Sequence, residues 1–371
     1  MTNRYLQPDT AGRVIIFAGL PKTGTTAFQT VLRCNRRALG LNCYQYLVDP
    51  NEGVASAAIL GSGNANDFYT SVFESQTSKL DPSLELLTPT GQNSILAAET
   101  LANLDEYQWA AVRASLAGRG LSCKVVIVLR DIYSFIQSRH NERAKHHLNG
   151  SGLSGSSAEQ MLSGLDSDPF PMLWETSLAS LSAALEPGEL TVLHYDSIKA
   201  NLSSELLRAG SIPLDGINLQ LGGAAAGPGN RSLGDGELEL VEALNAKFGP
   251  TTSNWAFRRL MHRNPGEPPP PPDPRVLDLI EQRYGASVEA INAKYFTADP
   301  GPKLKILDDA SRSAIEHAPS NQARAQLASA ARYLLSPRAY RHEPRSLGRP
   351  LIKEPGLYPF LMRIARSQRS A

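Results

Sequence analysis

One run of residues, Gly19-Leu20-Pro21-Lys22-Thr23-Gly24-Thr25-Thr26, has the composition of a loop that binds an anion. Its two glycines let the backbone approach a phosphate or sulfate closely. Successive backbone amides and the start of a following helix favour negative charge. Lys22 adds a full positive charge, and the three threonines add hydroxyl donors. The run therefore predicts a phosphate-binding loop.

The position of the lysine distinguishes this loop from that of P-loop kinases and NTPases. In the pattern G-x4-G-K-[ST] the lysine follows the second glycine and reaches the β- and γ-phosphates. Here Thr25 follows Gly24, and Lys22 lies inside the loop. The predicted strand that ends at Leu129 is followed by Arg130 rather than by a metal-binding aspartate. We therefore expect a donor with a shorter polyanion, and a P-loop kinase or NTPase remains the alternative.

Four short apolar runs predict the buried parallel strands that position these residues. The predicted strands are Arg13–Ala18, Ser94–Ala98, Lys124–Leu129 and Leu190–His194. Helical patterns between and beside them cover Thr25–Arg37, Leu104–Leu116, Ile132–His146 and Met172–Leu185. This alternation predicts an α/β fold: a P-loop-type, doubly wound parallel sheet flanked by helices.

The chain beyond the predicted sheet is helical in pattern. Helices are predicted over Asp235–Phe248, Arg275–Tyr284, Ser287–Phe296 and Gln322–Leu335. Gly266–Pro274 predicts a stiff connector, because proline fixes φ and lacks a backbone donor. From Arg338 an arginine-rich tail with interspersed prolines is expected to be solvated or loosely docked. We divide the chain into an α/β domain, 1–296, and a helical C-terminal extension with a basic tail, 297–371.

Composition restricts the partners of the protein. The apolar share of 42% is ample for a core, and a formal net charge of +1 gives no general attraction for nucleic acid or an anionic membrane. The first twelve residues lack a signal-peptide pattern. The longest apolar runs are far shorter than the ~20 residues of a membrane span. We expect a cytoplasmic protein with no nucleic-acid partner and no membrane span.

Two stretches resemble the motifs of one enzyme family. GLPKTGTTAFQ resembles the 5′-phosphosulfate-binding loop of the sulfotransferases, P-K-[ST]-G-T-T, and VVIVL-RDIYSFIQS resembles their strand-ending arginine with a serine eight residues later. The resemblance covers about 13–296. It implies binding of 3′-phosphoadenosine 5′-phosphosulfate (PAPS) without a metal. The implied donor contacts are Pro21, Lys22, Thr23, Gly24, Thr25 and Thr26 at the 5′ end, and Arg130 and Ser138 at the 3′-phosphate.

Two further stretches carry weaker resemblances. LTVLHYDSIK is similar to the family's strand ending in Tyr-Glu/Asp, which implies that Tyr195 lies near the adenine. A core aromatic residue capped by Asp196 is the alternative interpretation. GPGNRSL is similar to a late loop of bacterial members that closes over the 3′-phosphate, which implies a contact from Arg231.

The transfer also needs a base for the acceptor hydroxyl or amine. Glu99 follows the predicted strand Ser94–Ala98, where the family has a histidine or a glutamate, so Lys22 and Glu99 are the expected catalytic residues. Glu99 as a helix cap or lysine partner is the alternative, with His140 the next candidate base. A glutamate base favours a glycan over a phenol, although any small-molecule acceptor remains open, and the loops 51–78 and 150–168 are expected to select it. A non-catalytic PAPS-binding protein is a further alternative.

Overall fold

A computed structural model describes residues 12–19, 23–46, 72, 93–138, 174–219, 235–261, 274–298, 301–307, 322–336 and 356–366. The structure is mixed α/β and contains one parallel sheet of five strands that is flanked by helices. The strands are β1 (Arg13–Phe17), β2 (Tyr44–Gln45), β3 (Asn93–Ala97), β4 (Ser122–Leu129) and β5 (Leu190–His194). Their order across the sheet is β2-β3-β1-β4-β5.

The helices vary from one turn to six. They are α1 (Thr25–Cys34), α2 (Arg36–Leu41), α3 (Glu106–Gly118), α4 (residues 132–138), α5 (Trp174–Ala184), α6 (Tyr195–Ile198), α7 (Leu202–Ala209), α8 (Asp235–Phe248), α9 (Pro250–Met261), α10 (Pro274–Tyr295), α11 (Gln322–Leu335) and α12 (Leu357–Arg366). Short 3-10 helices cover Glu99–Asn103 and Lys199–Asn201. Among the described residues no helix has the length and apolarity needed to cross a membrane.

The four predicted strands are confirmed within two residues at each end. β1 lies between β3 and β4, and Val14, Ile15 and Ile16 have no exposed surface. A strand that is buried on both faces needs a continuous apolar run, which is the signal that made these strands predictable. The edge strand β2 was not predicted, because its two residues are too few to form a pattern.

The chain divides into two compact units. The first comprises 1–131, 169–226 and 286–304, and the second comprises 132–168, 227–285 and 305–371. The first unit contains the sheet. On α1 the side chains of Phe28, Val31 and Leu32 are buried, and the centroids of the Phe28 and Phe17 rings lie 4.7 Å apart in an edge-to-face pair. Such a pair adds to the free energy gained by burying both rings, so α1 and β1 are held together directly below the predicted loop.

The core of the second unit joins α8, α9, α11 and α12. Its buried residues include Leu240, Leu244, Leu260, Leu334, Leu357 and Leu361. The expectation of a loosely docked tail is wrong for α12, since Leu357 and Leu361, four residues apart, lie on one helix face and are fully buried. Helix α9 was also missed. Gly249, with φ of 78°, ends α8, and Pro250 opens α9, which is the usual asymmetry of glycine and proline at helix ends.

Helix α10 corrects another prediction. Two helices were expected on either side of Gly285, but Pro274–Tyr295 is one continuous helix of 22 residues. Its buried side chains recur at helical spacing through the glycine, at Val276, Ile280, Tyr284, Val288 and Ile291. A glycine inside a helix costs about 1 kcal/mol relative to alanine, and this burial outweighs that cost.

Candidate functional site

The predicted site residues follow four neighbouring strands of the first unit. Because the strands are parallel, their carboxyl ends meet at one edge of the sheet, where ligands bind in such folds. Gly19 follows β1, Glu99 follows β3, Arg130 follows β4, and Tyr195 follows β5. The strand order therefore places Glu99 on one side of the loop after β1, and Arg130 and Tyr195 on the other.

The described ends of the loop pack tightly on the sheet. Thr23 and Thr25 are buried, and a Cβ added to Gly19 would lie 2.3 Å from the Thr25 Cγ2 atom. Both threonine side chains line a small apolar cavity together with Phe17, Phe28 and Ala97. The predicted hydroxyl donors are thus anchored inside the first unit, and position 19 admits no side chain unless Thr25 moves.

Gly24 forms the start of α1. Its φ of 79° is left-handed, a conformation that glycine adopts without steric cost, and its carbonyl accepts the hydrogen bond from Phe28 N at 3.1 Å. A Cβ at Gly24 would lie 2.2 Å from Leu202 Cδ2 and 3.6 Å from Tyr195 Cε2. The second glycine of the loop therefore lies directly against α7 and the Tyr195 ring.

Arg130 and Tyr195 contact each other. The guanidinium carbon lies 5.1 Å from the centroid of the Tyr195 ring, and both side chains are half-buried. A guanidinium over an aromatic face is attracted by the negative charge of the ring face. The structure thus brings Gly24, Tyr195 and Arg130, which are far apart in the sequence, into one group.

Ser138 is buried in α4, which belongs to the second unit, whereas Arg130 belongs to the first. Several predicted residues fall outside the described part of the structure: Pro21, Lys22, His140, Arg231, and, apart from residue 72, the loops 51–78 and 150–168. Thr26 is the second residue of α1, and Glu99 is the first residue of the 3-10 helix after β3. The side chains of both residues lie outside the described part of the structure.

A group of three acidic and imidazole side chains was missed by sequence reasoning. His194 Nε2 lies 2.9 Å from Asp131 Oδ1, and Asp196 joins them so that one candidate ligand atom of each residue lies within 4.8 Å of the others. Asp131 and His194 are both buried. A signal was present, because Leu-Arg-Asp and Leu-His-Tyr-Asp each cross the end of a predicted strand; only the adjacency of β4 and β5 brings them together.

Two groups with shifted pKa values lie on β4, away from the candidate site. Burial raises the pKa of the Cys123 thiol on β4 to about 12. Burial, with a smaller contribution from Arg13, lowers the pKa of the neighbouring Lys124. Both residues precede the apolar centre of β4, away from its carboxyl end, so these shifts reflect packing rather than the candidate site.

Comparison with known proteins adds no assignment: the chain matches no protein-family model and no curated protein sequence.

Proposed function

We propose that this protein binds PAPS and transfers its sulfuryl group to an acceptor hydroxyl or amine, with a glycan as the favoured acceptor. We further propose that the sheet is doubly wound and of the P-loop type. In this arrangement the loop after β1 holds the 5′-phosphosulfate. Arg130 and Ser138 hold the 3′-phosphate, Tyr195 contacts the adenine, and Arg231 closes over the donor. The transfer requires no metal.

One observation carries the proposal: the guanidinium of Arg130 over the Tyr195 ring, which itself lies against Gly24. PAPS has an anion at each end of an adenosine, so its site needs a cation, an aromatic surface and a phosphate-binding loop within the reach of one nucleotide. Guanidinium groups bind phosphates with two hydrogen bonds. The assignment is supported by a cation, Arg130, an aromatic ring, Tyr195, and a loop glycine, Gly24, which lie together at the carboxyl edge of the sheet.

The chemistry follows from these positions. The acceptor oxygen or nitrogen attacks sulfur in line, while the bond between sulfur and the bridging oxygen of the donor breaks. The electron pair of that bond leaves with 3′,5′-adenosine bisphosphate. Lys22 and the loop amides stabilise the charge that develops on this leaving oxygen. The transferred group carries less charge than a phosphoryl group, so these donors replace the Mg²⁺ of kinases.

Glu99 is proposed to take the acceptor's proton. Its support is positional: β3 and β4 flank β1 on opposite sides, so the residue after β3 lies across the loop from Arg130. An acceptor that enters on the β3 side meets the sulfur from the side opposite the adenosine. This arrangement matches the in-line geometry that the transfer needs.

The direct test is an acceptor screen with PAPS carrying a labelled sulfuryl group. Glycans, phenols and amines are incubated with the wild-type protein and with Arg208→Ala, which removes a cation from an exposed pair with Glu205 and serves as the matched control. Both proteins should transfer label to the same acceptor and release one bisphosphate per label. Release of bisphosphate without a labelled acceptor would show hydrolysis, and no binding of PAPS would refute the proposal.

The alternative function is that of a nucleotide kinase, whose phosphates the same loop could bind. Asp131 directly follows Arg130 and is the buried carboxylate nearest the end of β4, but its Oδ1 atom already contacts His194 Nε2 at 2.9 Å. Mg²⁺-dependent binding of ATP that exceeds the binding of PAPS would favour the kinase. Tight PAPS binding without transfer to any acceptor would instead favour a non-catalytic PAPS-binding protein.

A further inference from the structure

Asp131, His194 and Asp196 form a cluster that the proposed transfer does not use. All three belong to the first unit, and they follow or end the adjacent strands β4 and β5, which pair Leu129 with His194. The side chains of Asp131 and His194 are 2% and 7% exposed. Carboxylates are seldom so deeply buried without a strong partner, so this cluster is a built feature of the sheet edge.

The cluster has two buried atoms that lack hydrogen bonds. His194 Nδ1 and Asp196 Oδ2 have no hydrogen-bond partner among the described residues. The neighbouring atoms of these two side chains are hydrogen-bonded: His194 Nε2 with Asp131 Oδ1 at 2.9 Å, and Asp196 Oδ1 with Lys199 Nζ at 3.1 Å. Leaving a buried polar atom unbonded costs about 1–3 kcal/mol. A ligand that bonds to both atoms would remove this cost.

We propose that the cluster binds a divalent transition-metal ion, with Zn²⁺ as the preferred ion. Imidazole and carboxylate together suit zinc, whereas Mg²⁺ prefers oxygen ligands alone. One candidate ligand atom of each of the three residues lies within 4.8 Å of the others, so all three side chains are close enough to act on one ion, either as a ligand or through a hydrogen bond to a ligand. The two carboxylates balance the charge of the ion.

Asp131 orients the imidazole in this site. A histidine that binds a metal through one ring nitrogen commonly donates a hydrogen bond from the other nitrogen to a carboxylate, which fixes its tautomer and orientation. Asp131 is in that position at His194 Nε2, so the lone pair of Nδ1 is left for the ion. Asp196 Oδ2 supplies the second protein ligand, and water completes the coordination.

The site would tie the ends of two strands together. Asp131 directly follows Arg130, and Tyr195 lies between His194 and Asp196, so the residues of the proposed ion site are neighbours in sequence of both members of the stacked pair. The ion is not part of the transfer chemistry. Zinc affinity and sulfuryl transfer are measured by different assays, so the two proposals fail separately.

The test is a titration of the full-length, EDTA-treated and desalted protein with Zn²⁺ in competition with a chromophoric chelator. Asp196→Asn keeps the shape of the side chain but removes its charge, and it should weaken zinc binding at least about tenfold. Lys199→Ala is the control, because it removes the cation paired with Asp196 Oδ1 and none of the candidate ligands; its affinity should be at least that of the wild type. His194→Gln should also lose binding.

Thermal unfolding gives an independent readout, since an ion that binds only the native state raises Tm. Zn²⁺ should raise the Tm of the wild type and of Lys199→Ala, but not that of Asp196→Asn, and equimolar Mg²⁺ should raise none. No zinc binding by the wild type at millimolar ion would overturn the proposal. Undiminished zinc binding by both Asp196→Asn and His194→Gln would also overturn the proposal. The same would follow if Lys199→Ala lost as much zinc affinity as Asp196→Asn. If His194→Gln fails to fold, the comparison of Asp196→Asn with Lys199→Ala decides.

Discussion

The guanidinium carbon of Arg130 lies 5.1 Å from the centroid of the Tyr195 ring, so the side chains that follow β4 and β5 form a stacked pair at the carboxyl edge of the sheet. The pair links two sequence motifs 65 positions apart. In the proposed donor site, Tyr195 holds Arg130 in the position where it meets the 3′-phosphate. Little side-chain entropy is then lost when the donor binds.

Arg130→Ala should weaken the binding of 3′,5′-adenosine bisphosphate by roughly 2–4 kcal/mol, because it removes a charge-assisted pair from a phosphate that is shielded from water. Isothermal titration calorimetry measures the change. Arg208→Ala, in an exposed pair with Glu205, should bind like the wild type. Unchanged affinity in a folded Arg130→Ala protein would mean that the 3′-phosphate binds elsewhere.

Gly24→Ala should lower both stability and donor binding. The left-handed φ of 79° costs about 1–2 kcal/mol for a residue with a Cβ, and that Cβ would lie 2.2 Å from Leu202 Cδ2. Tm and bisphosphate affinity are measured together. Gly118→Ala is the matched control, since a Cβ there has no atom within 4 Å and lies at the end of a helix. It should leave both quantities near the wild-type values, and similar losses in both variants would contradict the account.

Lys22→Ala should lower kcat and weaken donor binding modestly. The negative charge on the bridging oxygen grows as its bond to sulfur breaks, so a cation at this oxygen stabilises the transition state more than the ground state. Steady-state kinetics at saturating donor separate the two effects. A loss in donor affinity with unchanged kcat would assign Lys22 to binding alone.

Glu99→Gln should leave donor affinity unchanged and reduce kcat by about 10²–10⁴-fold, the usual contribution of a general base. Its pH–rate profile should also lose the acidic limb, because the glutamine cannot titrate. Near-normal turnover by the variant with an established acceptor would show that another residue is the base. His140→Ala would then be the next variant to assay.

Cys123 should react with a thiol reagent only after unfolding. Burial raises the pKa of its thiol to about 12, so it stays protonated in the folded protein, whereas Cys34 and Cys43 are exposed. Counting reactive thiols before and after adding denaturant tests this. The unfolded thiol loses its proton at a lower pH than the folded one, so its contribution to stability falls as pH rises between about 9 and about 12. Cys123→Ala should lack that part of the pH dependence.

The strands of the sheet were predictable because a parallel strand buried on both faces is apolar throughout, as in Val14, Ile15 and Ile16. The turn between β1 and α1 was predictable from Gly24, whose left-handed φ of 79° starts α1 without steric cost. Binding of an anion by this loop stays a prediction. Helix α12 was not predictable from the composition of the tail, because its two buried leucines are buried only by packing against helices from other parts of the chain.

The Asp131–His194–Asp196 cluster was also not predictable from local sequence patterns. Each residue is ordinary in its own stretch, and a single histidine at the end of a strand gives no metal-binding spacing. The cluster exists because β4 and β5 are neighbours with Leu129 opposite His194. Strand adjacency is a long-range property that local pattern cannot supply, and the contact of Arg130 with Tyr195 depends on the same adjacency.

Calorimetric titration with 3′,5′-adenosine bisphosphate in the presence of EDTA tests the central claim most directly, with 5′-adenosine monophosphate as the comparison ligand. We expect saturable binding at one site without divalent metal, and much weaker binding of the monophosphate, because only the bisphosphate supplies an anion for Arg130. Equal binding of the two ligands, or bisphosphate binding that appears only when Mg²⁺ is added, would contradict it.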